Sequence, residues 1–136
     1  MAKKLNILIV DDSLIMRVNL RRNLEGLGHE IVAEAVDGGS SITAYQKYKP
    51  ELVTMDITMP DMDGITAVQK IKEFDGNANV IMVTSHGQEA MVMNALKAGA
   101  KGYILKPVSP EKLREAIGKI FSELESESSD ELLEEE

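Results

Sequence analysis

Five short apolar runs alternating with segments of helical period constrain this chain more than any other feature. The runs are Leu5–Val10, Glu30–Val36, Glu51–Met55, Asn79–Thr84 and Gly102–Leu105. They are rich in Ile, Val and Leu, and the first and fourth are almost uniformly apolar, as strands are when helices cover both faces. The clearest helical stripe is Leu113, Ala116, Ile117, Ile120, Phe121 and Leu124, spaced at i, i+3, i+4, i+7, i+8 and i+11. Ile65, Val68, Ile71 and Phe74 form a second stripe, Leu14, Ile15, Val18, Leu24 and Leu27 a third, and Ile42, Tyr45 and Tyr48 a shorter one. Turn formers fall between these segments at Gly28, Asp37-Gly38, Pro60 to Gly64, Gly76, Gly87, Gly99 and Pro107 to Pro110. Ser13, Asp63 and Ser109 stand where helices want an N-cap, and Gly28 and Gly99 where they want a left-handed end. A (βα)5 chain of this kind predicts an α/β fold: a doubly wound, five-stranded parallel sheet with right-handed crossovers.

Aromatics make up only 4% of the chain and Trp is absent, so the core must be aliphatic. The absence of Cys excludes a disulfide framework, a thiolate nucleophile and a zinc–thiolate site. No apolar run is long enough for a signal-peptide core or a membrane span, which predicts a cytoplasmic protein with no membrane insertion. The 136 residues suit one domain, expected over 1–121, followed by an acidic extension over 122–136. That extension carries eight acids and no bases, which accounts for the whole net charge of −8 and leaves 15 acids against 15 bases in residues 1–121. A basic nucleic-acid surface is therefore not expected. The extension is expected to continue the last helix into a solvated acidic end, or else to act as an electrostatic contact element anchored by Leu132 and Leu133.

The polar residues at the ends of the apolar runs carry the functional signal. Asp11 and Asp12 end the first, Asp56 the third and Thr84 the fourth, and Lys106 follows the fifth. Strands of a parallel sheet point the same way, so these side chains gather along the edge where open α/β sheets bind ligands. With strand order 2-1-3-4-5 the first and third strands are neighbours, and three carboxylates crowd one crevice. Such a group needs a cation, and hard oxygen donors without Cys or His favour Mg2+. A divalent ion and Lys106 would together balance the three acids and leave a pocket able to accept a phosphoryl group. Asp56, alone at its strand tip and facing the others, is the best candidate nucleophile. Taken singly, each residue has an ordinary explanation as a turn former, a solvated loop lysine or a strand-ending hydroxyl. Their conjunction at four strand ends carries the weight.

The strings LIVDDS, DITMPDMDG, VTS and LKP, in this order and spacing, resemble the receiver domain of two-component response regulators. The similarity runs from about Asn6 to Phe121, and the strand order used above comes with it. It implies that Asp56 accepts a phosphoryl group from a phosphohistidine on a sensor histidine kinase or phosphotransfer protein. Mg2+ would be held by Asp11 or Asp12, by Asp56 and by the backbone carbonyl of Thr58. Lys106 would pair with the phosphoryl group and Thr84 would hydrogen-bond to it. The resemblance further implies a switch in which Thr84 and Tyr103 move together and alter the face built by helix 4, strand 5 and helix 5. It also implies a cis Lys106-Pro107 bond. Thr58 and His86, two residues after the acceptor and the hydroxyl, fall where the family tunes loss of its phosphoryl group, although a solvated loop histidine is an equal alternative for His86.

No output module follows Phe121, so a stand-alone, monomeric signalling protein is expected, one that assists only its own phosphorylation and dephosphorylation. MDITMPDMDGI and VMNALKAGAKGYILKP look most like chemotaxis-type regulators, which would bind a flagellar motor switch. A phosphate sink or relay intermediate in another pathway fits the same pocket. A Mg2+-dependent phosphatase with an aspartyl nucleophile is a distant alternative, because a second acid is wanted where Thr58 stands. A flavin mononucleotide site fails because Asp11 and Asp12 occupy the place of its phosphate loop. A receiver that works without phosphorylation is disfavoured because every needed residue is present.

Overall fold

The computed structural model describes residues 4–121. Five strands run in the order β2-β1-β3-β4-β5 and every neighbouring pair is parallel. They are β1 (Asn6–Val10), β2 (Glu30–Ala35), β3 (Leu52–Met55), β4 (Val80–Thr84) and β5 (Gly102–Leu105). The crossovers hold α1 (Leu14–Gly26), α2 (Gly38–Tyr48), α3 (Gly64–Phe74) and α4 (Glu89–Ala98). A fifth helix, α5, covers 110–121 within the described residues. Four expected strands overrun the observed ones by one residue, at Leu5, Val36, Glu51 and Asn79. The expected acidic extension and Leu124 lie outside the described residues.

Alternate residues of β1, β3 and β4 feed two separate cores, and in β2 a register shift after Ile31 sends Ile31 to one and Ala33 and Ala35 to the other. Leu8, Val10, Val53, Met55, Val80 and Met82 pack on one side, with Tyr45 of α2, Val68 and Ile71 of α3 and Ala95 of α4. Ile7, Ile9, Leu52, Ile81, Val83 and Ile104 pack on the other, with Leu20 and Leu24 of α1 and Leu113, Ile117 and Ile120 of α5. Burial on both faces removes any need for polar alternation, which is why the strands read as continuous apolar runs.

The helix ends follow the capping chemistry of the sequence. Ser13 Oγ accepts from Met16 N (3.3 Å), Asp63 Oδ1 from Thr66 N (2.8 Å) and Ser109 Oγ from Lys112 N (3.2 Å). Gly28 (φ 95°) and Gly99 (φ 115°) take the left-handed conformation expected of them. The Lys106-Pro107 bond is cis.

The stripe expected on α1 is corrected. Leu14, Ile15 and Val18 are 65%, 80% and 48% exposed, while the helix buries Leu20 and Leu24 with Leu27 partly covered beside them. At ~100° per residue, the first three lie about 120–160° around the helix from Leu20 and cannot share its face. Tyr48 and Phe74, the last residues of their stripes, are also exposed. Phe74 still meets Tyr45 edge to face, with ring centroids 6.5 Å apart.

Two buried polar side chains generate stability predictions. The Thr54 hydroxyl, in register with Ile9 and Ile81, is fully buried with no hydrogen-bond partner. Thr54→Val removes an orphaned polar group at nearly constant shape and is expected to stabilise the fold by about 1 kcal/mol in urea denaturation. His29 Nδ1 accepts from Leu5 N (3.1 Å) at the start of β1, and burial pushes its imidazole below its ordinary pKa, with Glu51 opposing. Protonation destroys that acceptor. Because the folded pKa is the lower one, the contribution is full above the unfolded value of about 6.5 and is lost as pH falls towards the folded value. Wild-type stability should therefore fall more steeply than that of His29→Gln across this window, by no more than about 1.4 kcal/mol per pH unit for one proton. Parallel pH profiles would contradict the assignment.

Candidate functional site

The carboxyl ends of β1 and β3 deliver three carboxylates to one place. Asp11 continues the β1 ladder, its N–H donating to the Ala35 carbonyl (3.1 Å), and Asp56 continues β3 by donating to the Val10 carbonyl (3.0 Å). Backbone pairing thus fixes both residues before any side chain is considered. Carboxylate oxygens of Asp11, Asp12 and Asp56 lie within 4.8 Å of one another. Asp11 is 1% exposed and Asp56 6%, whereas Asp12 faces solvent.

Lys106 enters from the end of β5. Its Nζ stands 3.0 Å from Asp11 Oδ2 and 3.6 Å from Asp56 Oδ1, and its own N–H donates to the Thr84 carbonyl (2.8 Å). Asp11 Oδ1 accepts from Ser13 N (2.9 Å), and Asp56 Oδ1 from Ile57 N (2.9 Å). Burial pushes the Asp56 carboxyl above its ordinary pKa and the neighbouring Asp11 charge adds to this, while Lys106 and the Ile57 amide oppose it. One ammonium against three acids leaves a local excess of two negative charges. The donor set is all oxygen, clustered and charge-deficient in the amount a divalent ion supplies, so these residues fit Mg2+.

The hydroxyl side of the site converges on His86. Thr84 is fully buried and its Oγ1 accepts from His86 N (3.2 Å). The His86 ring reaches across to Thr58, with Nε2 2.8 Å from Oγ1, and the His86 carbonyl accepts from the Tyr103 hydroxyl. The β4–α4 loop is thereby bonded to the loop after β3 and to the aromatic of β5. Asp11, Asp12, Asp56 and Lys106 meet directly, while Thr84, Tyr103 and Thr58 meet through His86.

Two contributors escape a reading of the sequence. Gly64, seen there as punctuation and as the last residue of DITMPDMDG but given no role, donates its N–H to the Ile57 carbonyl (2.7 Å), and a Cβ at this position would stand 2.0 Å from the Asp56 carbonyl oxygen. No side chain fits behind Asp56, so α3 can start this close only at a glycine. Arg17 of α1 donates to the Asp11 carbonyl (2.9 Å) and, with Arg21, grips Glu34 of β2. The bare signal for Gly64 is its place directly after the capping Asp63. Arg17 has none, because its partner lies on another element.

No described helix is long and apolar enough to cross a membrane. A family model for the response regulator receiver domain matches residues 7–118. The chemotaxis protein CheY of Bacillus subtilis is 49% identical over 116 residues, covering 85% of this chain and 97% of that protein. CheY of Halobacterium salinarum is 48% identical over 122 residues, covering 90% and 99%. Among solved structures, a CheX–CheY–BeF3–Mg2+ complex from Borrelia burgdorferi matches with TM-score 0.83 and 40% identity, covering 85% of this chain and 88% of the matched one. Fold, acid cluster and these similarities agree: the chain belongs to the response regulator receiver domain family.

Proposed function

We propose that Asp56 is the phosphoacceptor of this receiver and that the resulting aspartyl phosphate switches partner binding. The observation that carries this is Lys106 Nζ set between Asp11 and Asp56 within the three-acid cluster. An oxygen of Asp56 attacks phosphorus, the P–N bond of a phosphohistidine donor breaks, and the imidazole leaves with the electron pair. Lys106 is placed to offset charge on the phosphoryl oxygens, and Arg17 and Ser13 hold Asp11 in position from behind. Asp11 or Asp12, Asp56 and the Thr58 carbonyl would hold Mg2+, which supplies electrostatic stabilisation of the transferring group when bound.

Thr84 links the pocket to the outside. A hydroxyl that accepts from the His86 amide can still donate its proton, so Thr84 can join the phosphoryl group to His86, and His86 in turn holds Tyr103. Met93 and Leu96 of α4 and Leu105 of β5, the strand that carries this aromatic, expose large apolar side chains, which suits a face read by an output partner. Leu14, Ile15 and Val18 expose a second apolar patch directly after Asp12, which suits the approach of a sensor kinase or phosphotransfer protein. The identity to chemotaxis proteins supports signalling to a flagellar motor switch as the output, with phosphate sink or relay as the second assignment. The His86–Thr58 hydrogen bond supports these two as the residues that tune phosphoryl lifetime.

Incubation with acetyl phosphate and Mg2+ should label wild type at Asp56, as mapped by peptide mass spectrometry. Label is expected to be absent from Asp56→Asn and after chelation of Mg2+. Label elsewhere, or label that survives Asp56→Asn, would overturn the assignment. Removing the bridge over the pocket with His86→Ala should speed loss of the phosphoryl group about two- to tenfold, the value of one hydrogen bond. Equal half-lives would remove His86 from the account.

A further inference from the structure

The loop between β3 and α3 carries Asp56 at one end and Gly64 at the other, and most of it faces solvent. Its ends are drawn together by the Gly64 N–H to Ile57 carbonyl bond (2.7 Å). Its middle is fixed by a different contact. Asp61 reaches over to the start of α2, where Oδ1 accepts from Gly38 N and Oδ2 from Gly39 N, both at 2.8 Å. Met62 N closes the turn on the same carboxylate (2.8 Å).

The two glycines make this approach possible. A Cβ on Gly38 would stand 2.1 Å from Met62 Cγ, and one on Gly39 would stand 3.2 Å from Asp61 Oδ2. The first amides of a helix have no partner within the helix and favour a negative charge. Here α2 already has its own cap: Asp37 accepts from Ser40 N (2.8 Å) and Ser40 Oγ reaches back to Asp37 N (3.3 Å). Asp61 therefore fills the two donors that the local cap leaves over, and it does so from the loop that bears the acceptor. The amides of Gly39 and Gly38 hold its carboxyl below the usual carboxylate range, so the contact persists as an anion at neutral pH.

We propose that Asp61 is a positioning residue for phosphorylation: its clasp on Gly38 and Gly39 of α2 holds the loop from Asp56 through Thr58 in the form that receives Mg2+. This rests on the function assigned above. Thr58 lies three residues before Asp61 on the same exposed loop, where its Oγ1 meets His86 Nε2, and the clasp is the contact that ties the turn after it to α2. A ligand group left free to wander binds its ion more weakly, and loss of such outer supports typically costs about tenfold or more in metal affinity. The structure also accounts for a charge problem: Asp61 would otherwise be a further free acid on a loop that borders three, and the helix terminus neutralises it.

The test is a Mg2+ titration of the unphosphorylated protein followed by backbone amide shifts, together with amide hydrogen exchange at Gly38 and Gly39. Asp61→Ala and Gly38→Ala are expected to weaken Mg2+ about tenfold, with Asp61→Asn, which keeps one accepting oxygen, in between. Gly38 and Gly39 should exchange faster in Asp61→Ala. Asp37→Ala controls for helix stability, since it removes the local cap without touching the loop. Wild-type Mg2+ affinity in Asp61→Ala and Gly38→Ala would overturn the proposal, as would an equal loss in Asp37→Ala. Mg2+ binding that depends on Asp61 in a protein that takes no label from acetyl phosphate would keep the clasp and overturn the assigned function.

Discussion

Two nearly buried carboxylates share a single ammonium at the edge of the sheet, and the rest of the structure is arranged around that imbalance. Asp11 and Asp56 are each nearly inaccessible, Asp12 adds a third charge, and Lys106 is the cation placed among them. For Asp56 this is unfavourable in isolation, because burial and the neighbouring Asp11 charge both resist its ionisation. It persists because the ladder pins each acid by its backbone: Asp11 to Ala35, Asp56 to Val10. The chain thus keeps an acidic site whose charge deficit suits a divalent ion and in which Asp56, the acceptor proposed above, is held by its own backbone.

The parallel sheet is what makes that placement possible. Every strand delivers its last residue to the same edge, so residues from four strand ends gather there, with Lys106 reaching back from β5 past β4 and β3 to Asp11. The cores on either side set the strands rigidly, while the loops above them carry the adjustable parts. Among those loops His86 is the junction. Its amide holds Thr84, its ring meets Thr58, and its carbonyl holds Tyr103. One residue of the β4–α4 loop is therefore bonded to the end of β4, to the loop after β3 and to β5.

Much of this was legible in the sequence, for a physical reason. Strands buried on both faces leave a clear apolar run, and the polar residues that end β1, β3 and β4 stand out against it because Thr54 is the one other polar side chain within the buried stretches of those strands. Asp11, Asp12, Asp56, Thr84 and Lys106 were visible in that way, and the structure places all five at the carboxyl edge. Periodicity failed on α1, where Leu14, Ile15 and Val18 belong to a solvent-facing side, since an exposed apolar residue gives the same signal as one in the core. Contacts between elements left no local trace at all. The fit of Gly64 behind Asp56, the hold of Arg17 on Asp11 and the bonds from Asp61 to α2 depend on how the chain turns back on itself, which no residue pattern records.

The measurement that bears most directly on the electrostatic account is the titration of the Asp56 carboxyl by 13C NMR, with and without Mg2+. Without the ion the carboxyl should titrate above its ordinary value, because burial and Asp11 oppose its charge. Mg2+ should draw it back down, and the ion's affinity should weaken as the solution is acidified. An Asp56 that titrates at the ordinary carboxylate value and does not respond to Mg2+ would contradict the claim that these acids form a cluster built to take a cation.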